Sequence, residues 1–335
     1  MLRAMSAPTR PAVTAIVPTH NRRDTLPMTL QSILHQREVD LEVIVVDDGS
    51  SDDTYVWLTE VEDPRLRILH HEQPQGVAAA RNAGLAEATT EYVAFCDDDD
   101  LWAPDKLAAQ LDAIAGAPGT RWSCTSAVSF VVGDDGRVEL VYHQLAPEAE
   151  HLQASLLANN VVPGGGSSVL AQADLVRQAG GFRGGMAEDW DLWIRLALAA
   201  PAANAPAPLS GYRIWRNRNS SRSSDLRAVE SGTRALRQRY RDDARALGVS
   251  ASVGDDDVYL AKLALRGNLR WQSFVRYARL ARRAPKMMGW ACAALVSPSA
   301  VDRETDRRSS GAVPTEWRDE VLTWMAPLLT GTGTP

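Results

Sequence analysis

Apolar segments alternate with amphipathic segments over the first third of the chain. The strand-like segments are VTAIV (13–17), LEVIVV (41–46), RLRILHH (65–71) and EYVAF (91–95). Helical patterns follow them at 25–36, 55–61, 76–88 and 104–114. Continuous apolar strands that alternate with helices are typical of a parallel sheet covered on both faces. We therefore predict an α/β fold of the nucleotide-binding sandwich type with a mostly parallel central sheet.

The pattern changes after residue 120. WSCTSAVSFVV (122–132) and RVELVYH (137–143), separated by GDDG, predict a β-hairpin. The later segments predict a Gly-rich loop leading into a strand (159–170), a helix that begins in an acidic stretch (184–200) and a strand that runs into a polar loop (208–222). From residue 225 the chain is helical in pattern and rich in Arg. We predict a sheet domain over 12–224 and a helical C-terminal region over 225–335.

Composition narrows the class of protein. The chain has 335 residues, 45% of them hydrophobic, and a net charge of -6, which is typical of a globular protein and not of a general polyanion binder. Its three cysteines form no CxxC pair, which argues against a disulfide framework and a structural zinc site. No segment resembles a signal peptide or a membrane span. These features predict a cytoplasmic protein, with a peripheral position on the inner membrane face as an alternative.

Four adjacent aspartates, Asp97 to Asp100, follow the predicted strand at 91–95. Packed carboxylates raise one another's pKa, and a hard divalent cation such as Mg²⁺ or Mn²⁺ is their natural counter-charge. The structural alternative is an acidic cap and first turn for the helix predicted at 104–114. In open α/β sheets, ligands bind at the carboxyl ends of the strands. The position of the aspartates at such an end favours a metal site that would bridge a diphosphate.

Two other strand ends carry polar groups. In DDGSSDDT (47–54) a tight turn and a helix cap explain the later residues, but not Asp47 and Asp48, whose carboxylates could accept hydrogen bonds from a base or a ribose. In PTHN (18–21) the ring of His20 could stack on a planar ligand, although a lone His is usually structural.

Together and in this order, four segments resemble the family-2 glycosyltransferases with the GT-A fold. The segments are VTAIVPTHNRRDTLPMTLQSIL, EVIVVDDGSSDDT, GVAAARNAGLAEATTEYVAFCDDDDLWAPDKL and AEDWDLWIRLA. The resemblance covers about residues 12–220. It implies transfer of a sugar, with inversion, from a nucleotide-diphosphate donor to a hydroxyl of a glycan, lipid-linked or small-molecule acceptor. It also implies a divalent metal, Mg²⁺ or Mn²⁺.

The resemblance assigns roles to individual residues. Asp189, in the Glu188–Asp189 pair, matches the catalytic base, while Asp97 and Asp99 match metal ligands. Asp48 matches the base-binding aspartate, and Arg81 matches a basic residue beside the diphosphate. The full set expected to bind the nucleotide donor is Pro18, Thr19, His20, Asn21, Asp47, Asp48, Arg81, Asp97 and Asp98.

The chain departs from the family pattern near the end of the domain. Many relatives have a Tyr-Arg-x-His segment there, and in GYRIWRNRNSSR the His position holds Trp215. The metal then loses a ligand, or arginines at 213, 216 and 218 hold the phosphates instead. Acceptor or phosphate contacts are expected from Glu188, Trp190, Arg213 and Trp215. For Trp190 and Trp193, a place in the core is the alternative and the more common one.

The C-terminal region contains a basic, aromatic segment. No acidic residue occurs between Val258 and Trp290, and an apolar patch follows at 287–296. A basic amphipathic helix of this kind over 258–296 predicts a contact with a membrane surface. The alternative is an ordinary helix that packs its apolar face on the domain. Nucleic acid is not a predicted partner, because no recognised binding module is present.

Three other functions compete with sugar transfer. A sugar nucleotidyltransferase requires a Gly-rich phosphate loop after the first strand, and PTHNRRDT contains no glycine. A dehydrogenase requires GxGxxG at the same place, and this motif is also missing there. A non-catalytic protein that binds sugar nucleotides remains as the main alternative.

Overall fold

The computed structural model describes residues 11–133, 136–215, 225–249, 253–266, 269–282, 284–298, 300–301 and 313–329. The strands in this part are β1 (Val13–Thr19), β2 (Leu41–Asp47), β3 (Leu66–His70), β4 (Tyr92–Phe95), β5 (Leu101–Trp102), β6 (Trp122–Val132), β7 (Val138–Gln144), β8 (Val169–Gln172) and β9 (Ala202–Arg213).

The helices of the sheet domain are α1 (Leu26–Leu34), α2 (Thr54–Thr59), α3 (Val77–Glu87), α4 (Lys106–Gly116), α5 (Leu152–Ala158), α6 (Ala173–Gln178) and α7 (Glu188–Ala199). Those that follow are α8 (Leu226–Arg239), α9 (Arg241–Ala246), α10 (Val253–Arg266), α11 (Arg270–Ala281), α12 (Met287–Val296) and α13 (Thr315–Leu329). Short 3₁₀ helices lie at Ala149–His151 and Gly165–Ser168.

One mixed sheet contains all the described strands, in the order β3-β2-β1-β4-β8-β6-β9-β5, with β7 paired to β6. The predicted α/β class is confirmed. The first four strands are parallel, but β8 runs antiparallel to both β4 and β6. The prediction of a mostly parallel sheet therefore holds only for the first half. The second half is mixed: β9 runs parallel to β6, whereas β7 runs antiparallel to β6 because the turn between β6 and β7 is too short for a parallel crossover.

The parallel strands place their carboxyl ends side by side. Thr19 at the end of β1 pairs with Asp47, which in turn pairs with His70 at the end of β3. Successive side chains of β1 enter different layers: Ile16 packs with residues of α3 and α7, whereas Val17 packs with residues of α1. Both faces of the sheet are thus buried, and ligands are left with its edges and strand ends.

The segment after the four aspartates differs from the expectation. Leu101 and Trp102 form the short strand β5, which pairs with β9, and helix α4 begins only at Lys106. The interpretation of the aspartates as the acidic first turn of that helix is therefore wrong. They form a turn between two strands of the sheet. The local pattern missed β5 because its pairing partner lies more than one hundred residues further along the chain.

Strand β9 is longer than predicted. It begins at Ala202 instead of near 208, and its first residues run parallel to β6, with Ala202 opposite Trp122. The segment AANAPA lacks β-branched residues and contains a proline, so its sequence favours a loop. Tertiary pairing with β6 overrides this preference. Helices α5 and α6 were also not predicted.

The C-terminal residues are helical where the structure describes them, as predicted. Leu236 and Tyr240 pack in the layer that contains α5 and α7, and Met325 of α13 packs beside Phe130 of β6. The helical region thus packs on the sheet domain at two places. None of the described helices is long and apolar enough to cross a bilayer. Residues 216–224, which precede the predicted boundary, lie outside the described part, and the boundary stays a prediction.

The basic window at 258–296 is not one amphipathic helix. It contains most of α10 and all of α11 and α12, which pack on one another. Tyr277 and Ala291 lie in their shared core, whereas the Trp271 side chain is 66% exposed. Arg276 is paired with Glu230 and Asp257. The packing and the ion pairs agree with the alternative of ordinary packed helices, and the membrane contact stays a prediction.

A buried carboxylate joins α7 to the C-terminal helices. Asp191 accepts hydrogen bonds from Arg195 Nε at 2.9 Å, Arg239 Nη1 at 2.6 Å and the Tyr240 hydroxyl at 2.9 Å. Burial would raise the pKa of Asp191, but the charge of Arg195 and these hydrogen bonds outweigh burial and hold the pKa below its ordinary value. The folded state thus favours the ionised form of this carboxyl.

We expect Asp191→Asn to lower the free energy of unfolding by about 3 kcal/mol at neutral pH, because Arg195 loses its anionic partner in the interior. A carboxylate with a depressed folded-state pKa stabilises the protein above the unfolded pKa, and this contribution disappears as the pH falls through the folded pKa. The difference between the two proteins should therefore shrink below about pH 4. Urea titrations of both proteins at several pH values measure this difference in the free energy of unfolding.

The matched control is Asp174→Asn, which removes a carboxylate paired with Arg121 and 60% exposed. This variant should differ from the wild type by less than about 0.5 kcal/mol. Equal stability of Asp191→Asn and the wild type at neutral pH would contradict the structural role of Asp191.

Candidate functional site

A cavity of about 700 Å³ opens at the carboxyl ends of β1, β2 and β4. Most of the predicted site residues line it: Pro18, Thr19, His20, Asn21, Asp48, Arg81, Asp97, Asp98, Asp99, Glu188, Asp189, Arg213 and Trp215. Asp47 and Trp190 are not among the lining residues. Arg216 and Arg218 lie outside the described residues. Six separate stretches of the chain therefore meet at one place.

Asp48 lines the cavity, whereas Asp47 is buried behind it and stabilises the turn that carries Asp48. The Asp48 carboxylate accepts hydrogen bonds from His71 Nδ1 at 2.7 Å and from the backbone N–H groups of Gln75 at 2.9 Å and Gly76 at 2.7 Å. Burial would raise the pKa of Asp48, but these hydrogen bonds outweigh it and lower the pKa. Asp48 is therefore an anion that holds the 71–76 loop against the cavity.

Asp47 is fully buried and accepts hydrogen bonds from the Ser50 hydroxyl and from His70 Nδ1. These bonds stabilise the turn after β2. Gly49 in this turn has φ +72°, and a Cβ atom there would lie 2.8 Å from the Pro74 nitrogen, so the turn requires glycine. The direct donor contact predicted for Asp47 has no support from its position. Its side chain holds the turn that places Asp48.

The PTHN and DDGS turns are tied together. His20 Nδ1 donates to the Asp48 carbonyl oxygen at 2.9 Å, and the ring remains exposed at the cavity. Asn21 adopts a left-handed conformation with φ 55°, and its Oδ1 accepts from the Ser51 N–H at 2.7 Å and the Asp52 N–H at 3.2 Å. The His20 ring is thus both anchored and available for stacking.

Three of the four adjacent aspartates face the cavity. Asp97 accepts a hydrogen bond from Arg81 Nη2 at 2.5 Å, and Asp99 accepts one from Trp215 Nε1 at 2.6 Å. Burial, together with the charge of Asp99, raises the pKa of Asp98 to about 7. Burial raises the pKa of Asp99 as well. Carboxylates with raised pKa values in one cleft form a site that favours a cation.

Asp100 has a different role from the other three. Its side chain is fully buried, and it accepts hydrogen bonds from the Ser167 hydroxyl at 2.5 Å and the Arg213 N–H at 2.9 Å. These contacts join the aspartate turn to the Gly-rich loop and to the end of β9. The backbone N–H of Arg213 is thereby fixed beside the cavity, and its guanidinium lies 4.2 Å from the ring centre of Trp215.

Arg81 of α3 connects the aspartate turn with the start of α7. Its guanidinium pairs with Asp97 through Nη2 and with Glu188 through Nη1 at 3.1 Å, and the residue is 3% exposed. Burial would lower the pKa of Arg81, but the charges of Asp97 and Glu188 outweigh burial and raise it. Arg81 therefore stays charged, as expected for a residue beside a diphosphate.

Asp189 lies in the first turn of α7 and lines the same cavity. Burial and the charge of Glu188 raise its pKa to about 6. Asp189 Oδ1 accepts from the Trp190 N–H at 2.7 Å, and Oδ2 accepts from Asn160 Nδ2 at 3.4 Å. A carboxylate with this pKa can take a proton near neutral pH.

Trp190 lies in the core, which was the structural alternative for this residue. Its indole N–H donates to the Leu156 carbonyl oxygen at 2.7 Å. The sequence reasoning also missed several contacts of the site, among them Asn160, Ser167 and Tyr212. Asn160 belongs to the NNVVPGGG segment, but no local signal indicated that its amide would reach Asp189.

The donor set of the aspartate turn fits a hard divalent cation. Within the described ranges, no three His, Cys, Asp or Glu side chains converge so as to enclose a metal ion by themselves. Mg²⁺ commonly uses only one or two carboxylates and completes its shell with substrate phosphates and water. Asp97 and Asp99 offer the carboxylates, and the cavity leaves the remaining positions to a ligand.

Residues 14–141 match the family model described as Glycosyl transferase family 2. TuaG of Bacillus subtilis (strain 168), a glycosyltransferase provisionally assigned to teichuronic acid biosynthesis, is 42% identical over 105 residues, which cover 31% of this chain and 42% of TuaG. The UDP-Glc:alpha-D-GlcNAc-diphosphoundecaprenol beta-1,3-glucosyltransferase WfgD of Escherichia coli is 37% identical over 99 residues, which cover 30% of this chain and 39% of WfgD. The matches thus span less than half of either relative.

Two solved structures are similar over most of the chain. S. aureus TarS 1-349 in complex with UDP-GlcNAc has a TM-score of 0.54 and 18% identity, with 88% of this chain and 89% of that chain covered. The mannosyltransferase PcManGT from Pyrobaculum calidifontis, in complex with GDP-Man and Mn2+, has a TM-score of 0.51 and 20% identity, with 96% and 86% covered. Residues 14–141 are therefore similar to the family-2 glycosyltransferases, and the structure has the GT-A fold of these neighbours.

Proposed function

We propose that the protein is a metal-dependent, inverting glycosyltransferase that moves a sugar from a nucleotide-diphosphate donor to a hydroxyl of an acceptor. One observation carries the proposal. A single cavity joins the aspartate turn, which suits a metal-bound diphosphate, to Asp189, which suits a general base. The ion pairs of Arg81 with Asp97 and Glu188 connect these two parts. The match of residues 14–141 to the family model and the sugar-nucleotide complexes of the structural neighbours support it.

The donor binds across the strand ends. The exposed His20 ring stacks on the nucleobase, and the anionic Asp48 holds the loop beside it. The diphosphate lies at the aspartate turn, where Asp97 and Asp99 would hold Mg²⁺ or Mn²⁺. When bound, the metal neutralises the charge that develops on the leaving diphosphate. Arg213, fixed beside Trp215, adds a positive charge on the same side.

Asp189 acts on the acceptor. Its carboxylate accepts the proton of the attacking hydroxyl, so that an oxyanion does not have to form in advance. Inversion requires one such carboxylate on the face of the sugar opposite the leaving group. The Trp190 N–H and Asn160 hold the Asp189 carboxylate in place. Glu188 is engaged by Arg81 and raises the basicity of its neighbour through its charge.

The acceptor class follows from the relatives by analogy. WfgD acts on a sugar linked to diphosphoundecaprenol, according to its name. We propose a lipid-linked acceptor for this chain too, reached from a peripheral position on the inner membrane face. The exposed side chains of Trp271, Met288 and Val296 in α11 and α12 are the surface proposed to contact the membrane.

A thermal-shift screen of nucleoside diphosphates, with and without Mn²⁺, tests the proposed function. We expect one nucleotide to raise the melting temperature, and to do so more strongly when Mn²⁺ is present, because a ligand that binds only the folded state stabilises it. Mn²⁺ alone and nucleotide with excess EDTA are the controls. If no nucleotide raises the melting temperature in either condition, the proposed function is wrong.

The pH dependence of transfer should report Asp189. The base acts in its ionised form, so kcat/KM should increase with pH below about 6, where Asp189 titrates, and become constant above about pH 7. The measurement is the rate of nucleotide release at low donor concentration across this range. The residual rate of Asp189→Asn should not show this increase of kcat/KM with pH. A wild-type rate that falls as the pH rises through this range would contradict the role of Asp189.

A further inference from the structure

A second cavity, of about 990 Å³, lies between the C-terminal helices and α5. It is separate from the cavity at the strand ends, and α8, α9, α10 and α11 supply most of its lining. Five arginines line it: Arg234, Arg237, Arg241, Arg245 and Arg279. We call this cavity the arginine groove. Such a concentration of positive charge contrasts with the net charge of -6 for the whole chain.

The acidic residues of the arginine groove already have a cationic partner outside the lining. Among the described lining residues the carboxylates are Glu230 and Asp257. Arg276, which is not part of the lining, donates to Glu230 at 2.8 Å and to Asp257 at 3.4 Å. The hydrogen bond from Arg276 also lowers the pKa of Glu230. The positive charge of the lining is therefore in excess.

The lining arginines differ in how they are held. Arg234 is 3.5 Å from Glu230, and Arg245 is 2.8 Å from Asp242. Arg241 and Arg279 are exposed, and no carboxylate of the described side chains lies within ion-pair distance of either. Like charges that face one cavity repel one another, and a multivalent anion relieves this repulsion. Guanidinium groups also bind phosphate oxygens in a bidentate manner.

The arginine groove lies close to the proposed catalytic base. Arg237 donates to the carbonyl oxygen of Ala158 and to Asn159 Oδ1, both at 3.1 Å. The next residue, Asn160, donates to Asp189. On another side of α8, Gly232 packs so closely against Met186 that a Cβ atom on Gly232 would lie 2.7 Å from Met186 Cβ. Met186 lines the cavity at the strand ends. Helix α8 thus lines the arginine groove and also contacts a residue that lines the cavity at the strand ends.

We propose that the arginine groove is a binding site for a group with several phosphate charges, distinct from the donor site. Arg241 and Arg279 contact the phosphates, and Arg234, Arg237 and Arg245 add positive potential. The apolar lining residues, Leu157, Val249 and Leu260, leave room for a carbon chain or ring attached to the phosphates. A lipid-linked diphosphate and a soluble oligophosphate share this chemistry. The proposal does not depend on sugar transfer.

The test is calorimetric titration with inorganic tripolyphosphate in the presence of EDTA, which removes metal-dependent binding at the aspartate turn. The double variant Arg241→Gln/Arg279→Gln should bind tripolyphosphate at least about tenfold more weakly than the wild type, because it loses two charge-assisted contacts. The matched control is Arg227→Gln/Arg282→Gln. It removes the same charge from exposed positions of the same region that do not line the groove.

Selective weakening in the groove variant supports the proposal. Equal weakening in both double variants shows only long-range electrostatics and overturns it, as does unchanged binding in both. Circular dichroism and the melting temperature confirm that each variant folds. Mn²⁺-dependent nucleotide binding is measured in parallel, so that failure of the proposed function is seen separately from failure of the groove site.

A second arm identifies the source of the phosphates. Sedimentation with vesicles of phosphatidylcholine that contain about one-third phosphatidylglycerol reports binding to lipid headgroups. Loss of vesicle binding in the groove variant, but not in the control, identifies a lipid source. Vesicle binding that is equal in all proteins, together with the selective loss of tripolyphosphate binding, identifies a soluble source. Both results support the phosphate site when tripolyphosphate binding is lost selectively, and without that selective loss the proposal is overturned.

Discussion

Replacing Asp189 with Asn is expected to lower the turnover number by about 1,000-fold while the donor still binds. The amide keeps the size of the carboxylate and one oxygen that can accept from the Trp190 N–H, but it cannot accept the proton of the acceptor hydroxyl. Glu188, the neighbouring carboxylate in the same cavity, is engaged in an ion pair with Arg81. Nucleotide release with saturating donor measures turnover, and calorimetry with the nucleoside diphosphate measures binding.

The control for this prediction is Asp105→Asn. Asp105 is exposed before α4, and its side chain makes no capping hydrogen bond, so turnover should not change. Turnover of Asp189→Asn equal to that of the wild type would show that the base lies elsewhere. A wild-type protein that binds the nucleotide but releases none from any sugar donor would favour the non-catalytic alternative.

Replacing Asp99 with Asn is expected to weaken the Mn²⁺-dependent binding of the nucleoside diphosphate by about 100-fold. The amide keeps an oxygen that can accept the hydrogen bond of Trp215, but it removes the negative charge that holds a divalent cation. Nucleotide binding without the metal should change much less. Titration of the nucleotide at saturating Mn²⁺ and in EDTA, for both proteins, separates the two contributions.

Trp215→Phe is the matched control for Asp99→Asn. It keeps an aromatic ring beside Arg213 but loses the indole N–H donor and part of the ring area, and since the Asp99 carboxylate remains, the loss of metal-dependent binding should be less than about tenfold. A large loss in Trp215→Phe with little change in Asp99→Asn would mean that the indole, and not the carboxylate, organises the site. In that case the proposed metal position at Asp99 is wrong.

Much of the fold follows from short-range pattern. The apolar runs at the first, second and fourth strands have no polar alternation, so each had to be buried on both faces, and the intervening helices had to cover them. Parallel strands bring their carboxyl ends to one edge. PTHN, DDGS and CDDDD therefore had to meet there, and eleven of the predicted residues in those segments and in α3 and α7 line one cavity.

The sequence did not indicate which of the adjacent aspartates would line the cavity and which would stabilise the interior. Asp47 and Asp48 are chemically identical neighbours, yet one faces the turn beneath the cavity and the other lines it. Likewise Asp100 turns into the interior because Ser167 and the Arg213 N–H come from distant segments. The direction of a side chain near the end of a strand depends on the hydrogen-bonding groups around it. For Asp100 these groups come from segments distant in sequence.

The sequence by itself determined the layered α/β core, the edge of the sheet at which the predicted site residues meet and the resemblance to the family-2 glycosyltransferases. These depend on burial and strand direction, both of which are encoded locally. Only the tertiary structure decided that β5 pairs with β9, so that the aspartates form a turn between two strands. It also decided that Asn160 reaches Asp189 and that arginines of three helices line one groove. Each of these contacts joins residues far apart in sequence, where no local periodicity specifies which side chains will meet.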